Sequence, residues 1–560
     1  MKTKACFISI LFTMLILMGC HMNTAINMPP EAFIAQHVET IAPLRKEANL
    51  ASWDAAVSGK PEDYERQKQL TLKIRNIYSD PDEFAYLKNL MESDMPLDPV
   101  TARQIKILYN AYLPNQIDPS LVRDIVALES EIQKNFSTFR GSMDGKEVTV
   151  NDISAILKDE TDSEKRKRAW LASKQVGPVV AEDVLKLVRL RNQGAKQVGY
   201  DSYHTLMLEK SELDVAELDR LFEELEQLTR KPYADLKAQL DRTLAANCNI
   251  ESSEIMPWHY HDPFLQEAPM VIKIDLDEFY KGKDIVALSA DFYDGIGLNT
   301  EAILENSDLF EKPGKNPHAF CSDIDKEGDV RILCNIRDNE KWMEVQLHES
   351  GHAVYARYHD MNVPYLLRNP AHSFTTEAVA MIFGRLSGDA LWMQYMLGLS
   401  DAQRDQLLSV TREHTQLGQL IFARWVLVMY HFEKQLYADP DQDLNTLWWD
   451  MVEKYQFVKR PQNRAQPDWA SKIHFVIAPC YYHNYMLGEM LASQLIHDMA
   501  EKFPAIDTDK GVRFVNQKEI GTYLRDKIFK PGNVTPYNEM IQRATGESLT
   551  PKYFVQDFVN

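Results

Sequence analysis

The chain has 560 residues, enough to bury a large core. Its composition is that of a globular protein, with 45% hydrophobic and 26% charged residues, 22 glycines, 26 prolines and no low-complexity stretch or internal repeat. The formal net charge of −20 argues against a phosphate-binding surface and so against a nucleic-acid partner.

The first 20 residues have the pattern of an export signal: Lys2 and Lys4, then an apolar run from Ala5 to Met18 that is short for a transmembrane helix. The run ends in Leu17-Met18-Gly19-Cys20, which resembles a bacterial lipoprotein signal, although a Met before the Gly is unusual there. That resemblance implies a lipid anchor on Cys20 and a mature protein held at the membrane, facing the periplasm or the cell surface. An ordinary signal cleaved near Ala25 is the alternative. No later stretch reaches the ~18 apolar residues of a membrane span. Cys248, Cys321, Cys334 and Cys480 then remain in an oxidising compartment. Cys321 and Cys334 flank the turn-like Asp325–Asp329 and fit either a disulfide across a hairpin or two buried thiols.

A mainly α fold is expected, because helical periodicity dominates from residue 30 to 245 and again from Ala402 to the C-terminus. Leu218, Leu221, Phe222, Leu225 and Leu228 form one apolar face of a helix with Asp214 as N-cap, and Pro232 is expected to kink or restart it. Met256–Pro269 reads as a connection between two helical halves. Ala319–Cys321 and Val330–Cys334 read as a short antiparallel hairpin whose rim strand could offer its backbone to an extended peptide.

Residues 347–355, Leu-His-Glu-Ser-Gly-His-Ala-Val-Tyr, contain His-Glu-x-x-His. On a helix, His348 and His352 lie four apart, so both imidazoles leave one face and can bind one Zn²⁺. Glu349, one step round, is placed to act as general base toward a water on the metal. Asp338 or Asn339 would cap this helix. A surface helix carrying two histidines is the alternative reading. Two nitrogen ligands require a third from the protein, and Glu377, in an apolar helix capped by Thr375 or Thr376, is the candidate. A carboxylate there is costly unless paired or metal-bound, although a first-turn acid favoured by the helix dipole is the alternative.

A Glu 25 positions beyond the second His of His-Glu-x-x-His resembles the gluzincin peptidases, and more closely the angiotensin-converting enzyme family. The Cys321–Cys334 segment resembles that family's hairpin, Lys472-Ile473-His474 its Lys-Phe-His segment, and Tyr482 and Tyr485 its paired active-site tyrosines. The resemblance implies a helical ellipsoid of two halves around a deep substrate channel, with the small hairpin beside the zinc helix. It also implies one Zn²⁺ per chain on His348, His352 and Glu377, with Glu349 as base. His474 and Tyr485 would stabilise the oxyanion, and Lys472 and Tyr482 would bind the substrate's C-terminal carboxylate. The implied activity is release of C-terminal dipeptides from oligopeptides. An endo-acting oligopeptidase, a carboxypeptidase and a degenerate peptide-binding lipoprotein are the alternatives.

The chain also departs from this family. The Gln that joins Lys and Tyr on the substrate carboxylate in that family is expected within Trp258–Asp262, where no Gln occurs, which leaves His259 or His261 as substitutes. Ser322 stands where the family has a second oxyanion-side histidine, and Met381 where it has an acid that orients a ligand imidazole. Asn484 replaces an arginine that binds an activating chloride, so Tyr485 must be positioned by packing or direct hydrogen bonds, with His483 a candidate.

Overall fold

The computed structural model describes residues 26–269, 275–503 and 514–559, and for Ser409 the backbone alone. The expected export signal, with Cys20, lies outside these residues. The protein is mainly α-helical, and among the described residues the strands form two two-stranded antiparallel hairpins. Among the described residues no helix is long and apolar enough to cross a membrane.

Local sequence chemistry sets many of the helix starts. Three N-terminal helices begin at Asp-Pro pairs, where Asp80, Asp98 and Asp118 accept backbone N–H bonds from the first turn and the following proline occupies a position that needs no donor. A 29-residue helix (α1, Pro30–Ser58) packs with the first two of them around Phe33, Ile41, Tyr78 and Tyr112. The main core runs from Leu128 to Phe558. Helix α2 (Val215–Cys248) is capped by Asp214 and buries Leu218, Leu221, Phe222 and Leu225, whereas Leu228 is exposed. Pro232 lies inside α2 and does not interrupt it, because the packed face holds the helix across the missing N–H bond.

The first hairpin, β1 (Gly141–Met143) and β2 (Lys146–Val148), turns through Asp144-Gly145, both at positive φ. The second, β3 (Phe320–Asp323) and β4 (Val330–Leu333), leads into helix α3 (Glu340–Arg357). Asp308 bridges the far side of β4, and β3 packs on α3. The register pairs Cys321 with Ile332, which sets Cys334 diagonally across the hairpin, and both thiols are free.

Three helices meet beneath the second hairpin. Helix α3 packs on α4 (Ser373–Gly384), and α4 on α6 (His483–Lys502), while α5 (Asp401–Ala438) supports α6 from behind. Glycine permits these close crossings: a Cβ at Gly351 would lie 2.8 Å from the Ala380 Cα, and one at Gly488 3.1 Å from the Glu377 Cβ.

Candidate active site

The α3 helix starts where the Asn339 carboxamide accepts the Trp342 N–H at 3.0 Å. It buries Met343, Leu347 and Val354, and its carbonyl at Leu347 accepts the Tyr293 hydroxyl at 2.6 Å. His348 and His352 emerge one turn apart on the side facing α4. Helix α4 begins earlier than expected: His372 caps it through its ring, accepting the Phe374 N–H, while the Thr375 hydroxyl donates to the His372 carbonyl. Glu377 therefore sits in the second turn, beyond the strongest reach of the helix dipole, so that dipole does not account for a carboxylate at this position.

The Nε2 atoms of His348 and His352 lie 3.2 Å apart, and the Glu377 Oε2 lies 3.8 Å from each. Among the described residues these form the one group of three His, Cys, Asp or Glu side chains whose ligand atoms converge, all within 4.8 Å of one another. Metal–ligand bonds of about 2.0–2.2 Å at tetrahedral angles separate ligand atoms by about 3.3–3.6 Å, so the three groups fit a zinc ion with small adjustment. Burial drives both imidazoles toward the neutral, ligating form, lowering His348 to about 4 and His352 to about 3. Burial, and then the Glu377 carboxylate, push Glu349 up to about 8, with the Cys321 backbone N–H opposing; burial pushes Glu377 up to about 7. Two neighbouring carboxyl groups held that high from their protein surroundings form a site that favours added positive charge.

The C-terminal segment brings the other expected residues together. Lys472 is buried, and its Nζ lies 5.4 Å from the Phe264 ring centre, 5.1 Å from Trp425 and 5.5 Å from Tyr482. The Tyr482 hydroxyl accepts from the Trp425 Nε1 at 2.7 Å. The His474 ring stands 5.2 Å from that of Tyr482, and its Nδ1 is buried without a partner. Burial, then the Lys472 charge, lowers His474 to about 4, which leaves a neutral imidazole able to donate one N–H. Tyr485 packs edge-on against both Tyr481 and Tyr482, each at 5.4 Å. His483 instead faces Tyr430, so ring packing positions Tyr485.

The expected substitution of His259 or His261 for a missing glutamine is corrected by the structure. The Gln266 Oε1 accepts from the Lys472 Nζ at 2.6 Å. His259 is committed elsewhere, its Nδ1 accepting the Met256 N–H and its Nε2 meeting the Ser163 hydroxyl. Gln266 reaches Lys472 from an irregular loop in which the Asp262 carboxylate accepts the N–H groups of Phe264 and Gln266 and Leu265 adopts positive φ. The linear sign of this turn is the Asp262-Pro263 pair a few residues before the Gln.

Two further polar contacts at the site involve residues that sequence reasoning had not assigned there. The Thr376 hydroxyl meets the His352 Nδ1 at 2.7 Å, and the Tyr481 hydroxyl donates to the Glu377 Oε1 at 3.3 Å.

Residues 27–556 match the family described as angiotensin-converting enzyme. The chain is 21% identical over 404 residues to thermostable carboxypeptidase 1 of Pyrococcus furiosus, a match covering 66% of this chain and 71% of that one. It is 22% identical over 267 residues to carboxypeptidase 1 of Bacillus subtilis, covering 43% of this chain and 52% of that one. The family match spans nearly all of a helical fold in which His348, His352 and Glu377 converge, and the chain therefore belongs to the angiotensin-converting enzyme family of peptidases.

Proposed function

We propose that this peptidase is zinc-dependent and removes dipeptides from the free C-termini of oligopeptides. The metal reading is supported by the separations of 3.2 and 3.8 Å among His348, His352 and Glu377. A zinc ion there would supply Lewis acidity toward water and the scissile carbonyl. Glu349 accepts the proton of the attacking water and delivers it toward the leaving amine. His474 and Tyr485 donate to the oxygen of the tetrahedral intermediate, each worth about 10²–10³ in rate.

The observation that carries C-terminal selectivity is Lys472. Its ammonium has three N–H donors inside an aromatic box, and Gln266 accepts from it. A substrate carboxylate supplies the remaining acceptors and the missing negative charge, with Gln266 and Tyr482 flanking it. Burial holds Lys472 down to about 8, so it remains mostly charged at neutral pH.

A second reading is release of single residues, favoured by the names of the two carboxypeptidase relatives. Export and anchoring through Cys20 complete the proposal, resting on the N-terminal sequence.

One experiment separates these readings. Peptides with free and amidated C-termini are digested and the products weighed by mass spectrometry. Removal of zinc by a chelator should abolish cleavage and added zinc should restore it. Free peptides should lose two residues at a time, and amidation should raise KM roughly tenfold or more. Loss of one residue at a time selects the carboxypeptidase reading. Internal fragments formed equally from amidated peptides would overturn the C-terminal one.

A further inference from the structure

The contacts of Thr376 and Tyr481 point beyond the three proposed ligands to the groups that hold them. A histidine that ligates through Nε2 must carry its proton on Nδ1, and that proton needs an acceptor to fix both tautomer and ring angle. Thr376 presents Oγ1 2.7 Å from the His352 Nδ1, from the position next to Glu377 on α4. One helical turn thus supplies one proposed ligand and the acceptor for another.

Tyr481 acts on the carboxylate. Its hydroxyl donates to the Glu377 Oε1 at 3.3 Å, whereas Oε2 is the oxygen 3.8 Å from both imidazole nitrogens. One oxygen is thereby held by the protein while the other faces the metal position, which favours ligation through a single oxygen.

The backbone that aims Tyr481 is itself built for the purpose. Cys480 adopts φ +56°, and its N–H donates at 2.9 Å to the carboxylate of Glu433, a buried acid on α5. The Tyr481 carbonyl then accepts the Asn484 N–H at 2.9 Å, which opens α6. The Tyr481 ring braces Tyr485 edge-on, so the residue touches both the metal ligand and the proposed oxyanion donor.

Resting on the zinc reading above, we propose that Thr376 and Tyr481 are positioning residues that set metal affinity, Thr376 by fixing the His352 ring and Tyr481 by holding Glu377 to one-oxygen ligation. Both act through neutral hydroxyls, so removing either leaves the charge of the site unchanged.

The test measures zinc affinity by competition with a chelator of known strength, on wild type, Thr376→Val, Thr376→Ser and Tyr481→Phe. The melting temperature of each metal-free protein serves as the control for folding. Thr376→Val and Tyr481→Phe should each bind zinc roughly 10- to 100-fold more weakly, with metal-free melting close to wild type. Thr376→Ser, which keeps the hydroxyl, should recover most of the loss. Wild-type affinity in both Thr376→Val and Tyr481→Phe would overturn the inference while leaving the zinc reading intact. Thr376→Ser binding as weakly as Thr376→Val would overturn the Thr376 half, since retaining the hydroxyl would then not preserve the affinity. A wild-type protein that binds no zinc would remove the reading on which the inference stands.

Discussion

Glu349 and Glu377 are both largely buried carboxyl groups, and the proposed mechanism gives them different work. Glu377 directs Oε2 toward both imidazoles, whereas Glu349 leaves α3 one residue after His348 and meets the Cys321 backbone N–H. Glu349→Gln should therefore retain zinc and lose about 10²–10⁴ in kcat, because an amide cannot accept the proton of water. Glu377→Gln should lose zinc. Metal content and turnover of the two purified variants check this, and normal zinc in both would require a different third ligand. The orphaned Nδ1 of His474 fits the same division, since it is a polar atom without a protein partner where a substrate oxygen is proposed to lie.

At the scale of elements, the contact between α5 and the turn that precedes α6 carries a stored electrostatic cost. Glu433 on α5 is buried, and that burial pushes its carboxyl up to about 7, with the Cys480 N–H and the Arg191 charge opposing. The folded state thus keeps the proton longer than the unfolded chain. From this group, stability is unaffected below the ordinary carboxyl range and falls as pH rises toward 7. At about 1.4 kcal/mol per pH unit the loss reaches roughly 3 kcal/mol. Glu433→Gln preserves an acceptor for the Cys480 N–H and removes the titration. Its melting temperature relative to wild type should therefore rise by about 3 °C between about pH 5 and pH 8. A difference that stays constant across this range would show that Glu433 does not titrate as the fold requires.

For the whole molecule, the arrangement of α6 against its neighbours bears on dependence on anions. Asn484 is buried and its Oδ1, an acceptor, has no partner, a poor environment for chloride. Tyr485 is held by the rings of Tyr481 and Tyr482. Activity should stay nearly flat when chloride is exchanged for acetate at constant ionic strength, which also controls for screening. Several-fold activation by chloride would reveal an anion site elsewhere and a different means of positioning Tyr485.

Much of this was legible in the sequence, for a local reason. Helix caps such as Asp214, and the spacing of His348, Glu349 and His352, depend on residues a few positions apart, where helix geometry is fixed. The Asp144-Gly145 hairpin carried an equally local turn signal that the reading passed over. Glu377 could be named because a third ligand was required and an apolar helix held one acid. Tertiary structure alone decided what meets across the fold. Gln266 reaches Lys472 over 206 positions, and Tyr481 reaches Glu377 over 104. The residues that make these contacts lie on an irregular loop and after a left-handed turn, where no periodicity records the direction of a side chain. The sequence by itself determined which residues could bind a metal and accept a proton. Only the packing of α3, α4 and α6, permitted by Gly351 and Gly488, decided which side chains stand around them, because that depends on how closely the backbones approach.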